Sequence, residues 1–231
     1  MSNPKTTVVF IPALLCDATL YIDVIERLGD QIEAHVMMSP KPTMAASVAD
    51  ILARAPKTFA LVGTSYAGNL ALEIAIAAPE RVTALWLMGC DAAAPQAGGP
   101  DLAGGLSTQP EAVIDMLGTV IAHPDNKDAA ATFKTMAHRV GGQAGAAQAT
   151  ALATRQESLT RLRGLAIPAL VLWGADDALV PVAAGKTLAQ NLPHAHFHAL
   201  PHCGHLPTLE APAAAADLFA KFLMEETAHH A

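Results

Sequence analysis

The sequence predicts one α/β domain: a mostly parallel sheet of about six strands, flanked by helices and carrying a helical insertion. Three observations support this. Short apolar runs rich in β-branched residues alternate with segments of helical period. The runs are continuously apolar rather than alternating, as expected of strands covered on both faces. Residues 91–165 break the alternation and contain helical stretches but no convincing strand.

In order, TTVVFI (6–11) is β-branched and stops at Pro12, which marks a buried strand. Residues 18–30 place Leu20, Val24 and Leu28 four apart and stop at Gly29, so they read as a helix. AHVMMS (34–39) reads as the second strand. A helix over 43–55 has Thr43 as its cap and ends before Pro56. TFALVG (58–63) is the third strand, 66–78 a helix ending before Pro79, and RVTALWLMG (81–89) the fourth strand. The stretch DAAAPQAGGPDLAGG (91–105) looks like a loop, and helices are expected near 109–122, 125–139 and 143–161. Strand and helix then resume: PALVLWG (168–174), a helix over 181–192, AHFHAL (195–200) and a closing helix over 211–226. The expected division is a core of 1–90 and 166–231 with a helical cap of 91–165.

Composition narrows the function classes. The chain has 231 residues, 52% hydrophobic and 15% charged, enough for a full core and too apolar for broad disorder. The formal charge is 14 − 21 = −7. An acidic chain without a Lys/Arg cluster argues against nucleic acid and anionic membranes as partners. Cys16, Cys90 and Cys203 are far apart and odd in number, so they read as reduced thiols of a cytoplasmic protein. The opening residues lack the shape of a signal peptide. No apolar stretch reaches the ~18 residues of a membrane span.

The chemistry centres on VGTSYAG (62–68). A nucleophile on a sharp strand-to-helix turn must project while its neighbours stay small, two residues before it and two or three after. Gly63, Ala67 and Gly68 meet that need around Ser65, with Ala67 as the irregular position of a G-x-S-x-G pattern. The plainer reading is that Ser65 only caps a helix. A nucleophilic Ser needs a His base held by a carboxylate. Both belong in loops at the carboxyl ends of later strands. The loop after 168–174 supplies Asp176 and Asp177, and the loop after 195–200 supplies His202 and His205. The order Ser, Asp, His is that of a nucleophile-elbow hydrolase.

These segments, VVFIPALLCDATLY, LVGTSYAGNLALEIAIAAPERV, IPALVLWGADDALVP and HCGHLPTLEAP, resemble the α/β-hydrolase superfamily along nearly the whole chain. The start IPALLCD is similar to that of a bacterial subgroup with PGLLCD there. The resemblance implies an α/β-hydrolase fold and a triad of Ser65, Asp177 and His205. The family's acid lies in G-x-x-D-x-x-x-P, and Gly174 with Pro181 puts it at Asp177. Its base is the His of a G-H pair, His205, which leaves His202 as a loop neighbour. Tyr66 N–H is the implied first oxyanion donor. The second comes from the loop after the first strand, where Pro12 and Ala13 replace a common His-Gly and make Leu14 the expected donor.

Other readings compete. Asp91, after the fourth strand, and Asp176 are alternative acids. His194, His196 and His198 fall on one face of a strand and could bind zinc, but the plainer reading is a surface row. Cys203 is expected to be a structural thiol. Cys16, Met116, Leu117 and Met136 are candidate pocket residues, with Ile121 and Phe133 beside them, although core packing explains such residues as well. The expected activity is hydrolysis of small carboxylic esters with no metal or cofactor. Lactone or thioester hydrolysis, perhalogenation, carbon–carbon cleavage, or a non-catalytic ligand-binding role are the alternatives. The expected partner is a small ester-like molecule, and oligomeric state is left open.

Overall fold

The structure is a computed structural model that describes residues 5–95 and 98–229. Six strands form one sheet: β1 (Thr6–Ile11), β2 (Ile32–Val36), β3 (Phe59–Thr64), β4 (Val82–Met88), β5 (Ala169–Gly174) and β6 (Ala195–Leu200). Their order is β2-β1-β3-β4-β5-β6 and every neighbouring pair is parallel. β3 and β5 are buried at every position, as their unbroken apolar sequences require.

The helices of the first half are α1 (Ile22–Leu28), α2 (Met44–Arg54) and α3 (Tyr66–Ala77). Between β4 and β5 lie α4 (Leu102–Thr108), α5 (Pro110–Gly118), α6 (Lys127–Val140), α7 (Gly142–Ala153) and α8 (Leu159–Leu162). The chain closes with α9 (Val182–Asn191), α10 (Pro207–Glu210) and α11 (Pro212–His229). α1 packs with α10 and α11, while α2 packs with α3, and α8 with both α3 and α9. Right-handed crossovers account for the two groups. The chain steps from β1 outward to β2, then reverses and runs through β3 to β6. The reversal puts α1 on one face and α2, α3 and α9 on the other. The switch point lies between β1 and β3, and ligands bind outside the strand ends at such a point. On the α11 side, Trp86 of β4 stacks on Phe219 with ring centroids 4.4 Å apart.

Four elements differ from the sequence expectation. The second strand is Ile32–Val36 rather than 34–39. It is an edge strand whose pairing starts at Thr6↔Ile32, so Glu33 and His35 belong to it and the apolar Met37–Met38 do not. Residues 102–108 are helical despite Gly104 and Gly105. Asp101 overcomes their low propensity by accepting the Gly104 N–H at 2.9 Å. The helix expected over 143–161 ends at Ala153, because Ser158 N–H turns away to Ala92 O at 3.0 Å. The segment 18–30 begins and ends as 3-10 turns around a short α1.

Candidate active site

β3 ends at Thr64 and α3 begins at Tyr66, so Ser65 alone makes the turn. Its backbone is left-handed, φ 57° and ψ −121°, a conformation costly for a residue with a Cβ. Ser65 makes no side-chain cap hydrogen bond, which sets aside the plain capping role. Residues 59–72 are all buried except Ser65, which keeps partial access to solvent. A Cβ at Gly63 would collide with Ala67 O, and one at Gly68 would lie 2.6 Å from the Cys90 Cβ. The tight position after the serine is therefore Gly68, and Ala67 is accommodated fully buried. The Ser65 N–H bonds to Met88 O at 2.8 Å, fixing the turn to the end of β4.

The loop after β1 approaches the same switch point. Cys16 N–H donates to Ala13 O at 2.9 Å, closing a turn in which Leu15 has φ 61°. Leu15 N–H donates to Gln148 Oε1 at 3.0 Å. Among the described residues, the Ala13 and Leu14 N–H groups of this turn have no protein partner. Tyr66 N–H, the first of α3, has no intrahelical acceptor by geometry. The Tyr66 side chain points elsewhere, with its hydroxyl donating to Ser39 O at 3.3 Å. Tyr21 joins the two loops from beneath: its hydroxyl donates to Ile11 O at 2.9 Å and contacts Thr64 Oγ1 at 3.0 Å.

His205 Nδ1 pairs with Asp177 Oδ2 at 2.8 Å, and the two side chains are 2% and 1% exposed. The other Asp177 oxygen, Oδ1, accepts the N–H groups of Leu179 and Val180, each at 2.9 Å. The carboxylate is thus oriented by two N–H groups and a ring. Asp176 has a half-exposed side chain and lies 4.0 Å from His123 instead. Asp91 Oδ1 accepts the Ala93 N–H at 2.9 Å. The loops approach closely: a Cβ at Gly174 would overlap Gly204 O. A Cβ at Gly89, next to Met88, would meet the His205 ring at 2.9 Å. Ser65 is tied to Met88 and His205 abuts Gly89, so the serine turn and the His205 ring gather at the end of β4.

A model described as the alpha/beta hydrolase family matches residues 17–218. The chain belongs to this family. One relative is the 2-hydroxymuconate semialdehyde hydrolase of Pseudomonas putida, 33% identical over 180 residues, 74% of this chain and 64% of that protein. Another is a 2-hydroxy-6-oxononadienedioate/2-hydroxy-6-oxononatrienedioate hydrolase of Paraburkholderia phymatum, 34% identical over 164 residues, 63% of this chain and 55% of that protein. The chain thus spans less than two thirds of the length of these relatives. Among solved structures, the enol-lactonase of Burkholderia xenovorans superposes with TM-score 0.86 at 19% identity, over 96% of this chain and 92% of the other. A thermophilic esterase of Thermogutta terrifontis gives 0.83 at 20% identity, over 97% and 92%. At such identities the likeness is one of fold.

In this alpha/beta hydrolase the segment between β4 and β5 is stitched to the loop that carries His205. His205 N–H donates to Ile121 O at 3.1 Å. Gly204 lies so close to Ala122 and His123 that a Cβ there would strike their backbone, 2.5 Å from His123 N. Glu210 completes the join. Its Oε2 accepts His123 N–H at 2.7 Å and Gly204 N–H at 2.9 Å, and its Oε1 accepts Leu206 N–H at 3.0 Å. Sequence reading missed Glu210, Gln148 and Tyr21. Only for Glu210 was a signal present, as the acid that follows the GH pair, at the end of α10.

The remaining candidates are scattered. Cys16 and Met136 are fully buried, Leu117 is buried, and Met116 is 43% exposed. All three thiols are buried, and burial pushes each well above its ordinary range, Cys90 to about 12. They are therefore neutral thiols at neutral pH, as expected for Cys203. His194, His196 and His198 are exposed, and only the last two lie in β6. No helix among the described residues is long and apolar enough to cross a membrane.

Proposed function

We propose that the chain is a serine hydrolase of small carboxylic esters. The observation that carries this is the buried His205–Asp177 pair, in loops that meet the left-handed Ser65 turn at the end of β4. A buried polar pair contributes little to stability in itself, so its placement in loops that converge with the serine turn at the end of β4 supports a catalytic role.

The roles follow from the atoms. His205 Nδ1 is committed to Asp177, so Nε2 carries the free lone pair. Nε2 takes the proton of Ser65 Oγ as the oxygen attacks the substrate carbonyl. The tetrahedral oxyanion is held by the N–H groups of Leu14 and Tyr66. His205 gives its proton to the leaving alkoxide, and an acyl-serine remains. Water then donates a proton to Nε2 and attacks the acyl carbon, and as the bond to Ser65 Oγ breaks Nε2 returns that proton to Oγ, releasing the acid and restoring the serine. Asp177 keeps the ring oriented and stabilises its charged form.

A second reading uses the same residues on a different carbonyl. The 33% identity to a 2-hydroxymuconate semialdehyde hydrolase favours it. In that case the attacked group is a ketone or enol-lactone carbonyl of a small unsaturated acid, and specificity resides in the cap and pocket. A panel of p-nitrophenyl esters of graded length, enol-lactones, thioesters and 2-hydroxymuconate semialdehyde separates the two. Ser65→Ala should lower kcat/KM on the turned-over substrate by roughly 10³-fold or more while leaving the fold intact. Hydrolysis by Ser65→Ala at the wild-type rate would refute both readings.

A further inference from the structure

We infer that His123, Asp176 and His202 form a binding site for a divalent transition ion of the zinc class, and that the ion fastens the cap to the acid and base loops. The site lies outside the proposed triad, and its test does not depend on the role of Ser65.

The three residues come from three segments: the α5–α6 connection of the cap, the loop after β5 and the loop after β6. Each offers one ligand atom, and these atoms all lie within 4.8 Å of one another. Tetrahedral zinc with bonds of about 2.0–2.2 Å separates its ligand atoms by roughly 3.4 Å. Closing the set therefore takes side-chain movements of about 1.5 Å or less. Two imidazoles and one carboxylate suit zinc and its transition-metal neighbours rather than magnesium or calcium, which prefer all-oxygen sets. Asp176 and His202 are exposed and His123 is partly buried, so the fourth position faces solvent and can hold water.

The backbone is already organised for this. Glu210 holds the His123 and Gly204 N–H groups together, and Asp176 N–H donates to Cys203 O at 2.9 Å. The rings of His123 and His202 meet edge to face, 5.9 Å between centroids. His202 sits at φ 52°, a left-handed position that favours His over most residues. His123 Nε2 is the atom nearest Asp176, 4.0 Å from its Oδ2. Binding through Nε2 requires the proton on Nδ1, which now accepts the Asp125 N–H at 3.2 Å. The exposed Asp125 carboxylate lies 3.9 Å from Nδ1 and has to close by about 1 Å to accept that proton's hydrogen bond. Among the described residues this is the one group of its kind.

The test uses metal-free full chain, titrated with zinc chloride by calorimetry and followed by thermal melting, with magnesium chloride as the control. One zinc per chain should bind, and at about 100 Kd the melting temperature should rise by roughly 5 °C or more. His202→Asn keeps a residue that tolerates the left-handed backbone and removes the imidazole. It should weaken zinc binding about 10-fold or more and cancel the thermal rise. His123→Ala and Asp176→Asn should act in the same direction. A variant with His194, His196 and His198 all changed to Ala should bind as the wild type does. The inference is overturned if zinc fails to bind, if His202→Asn binds it unchanged, or if the triple variant alone abolishes binding.

Discussion

Glu210 is the most consequential residue that the sequence did not single out. Its carboxylate receives three N–H groups, one from the cap and two from the loop that carries His205. Removing it leaves those donors without acceptors in a partly buried position. At about 1–1.5 kcal/mol for each, Glu210→Ala should cost about 3–4.5 kcal/mol of folding stability. Glu210→Gln is the finer probe. Its carbonyl oxygen can replace Oε2 and keep the His123 and Gly204 bonds, while its amide then faces Leu206 N–H, donor against donor. That variant should lose about 1–2 kcal/mol. Both losses are read from urea unfolding midpoints. Activity should fall as well, since His205 N–H depends on Ile121 O in the same joined segment. A loosened base lowers kcat by roughly 10-fold or more with little change in KM. If Glu210→Ala unfolds within about 1 kcal/mol of wild type, the clamp is not a structural join, and the reasoning fails.

Two further substitutions test the surroundings. Gly174→Ala places a methyl onto Gly204 O, backbone against backbone, so it should destabilise by about 2 kcal/mol or more and impair turnover; a variant of wild-type stability and activity would show that the acid and base loops are not locked. Arg139 joins the cap to the loop after β1 through Asp17 at 2.7 Å. Burial pushes the Asp17 carboxyl up, but hydrogen bonds from Arg139 and Thr19 outweigh it and hold it below the usual range. A depressed carboxyl adds stability that is present above its unfolded value near pH 4 and lost as the pH falls through its folded value. The stability gap between wild type and Arg139→Gln should therefore narrow between pH 7 and pH 3, and an equal gap at both would contradict it.

The strands were legible because a sheet covered on both faces writes itself as unbroken apolar runs. The serine turn was legible because Gly63 and Gly68 stand where any side chain would collide. The G-x-x-D-x-x-x-P frame pointed to Asp177 over Asp176, and Asp177 is the residue that bonds His205. What escaped depends on long-range partners. β2 is set by pairing with β1, not by its own hydrophobicity, so its limits shifted. α4 stands on a single capping carboxylate in a Gly-rich stretch whose propensity argues against a helix. Tyr21 and Gln148 act through contacts across 43 and 133 residues, distances at which no local pattern leaves a mark, while Glu210 joins its own loop to His123 across 87.

The central claim is that Ser65 is an activated nucleophile. Incubation of the folded protein with a fluorophosphonate, followed by peptide mass mapping, tests it directly. One adduct on Ser65 is expected, lost in Ser65→Ala and strongly slowed in His205→Ala. A folded wild-type protein that stays unlabelled, or one labelled at another residue, would contradict it.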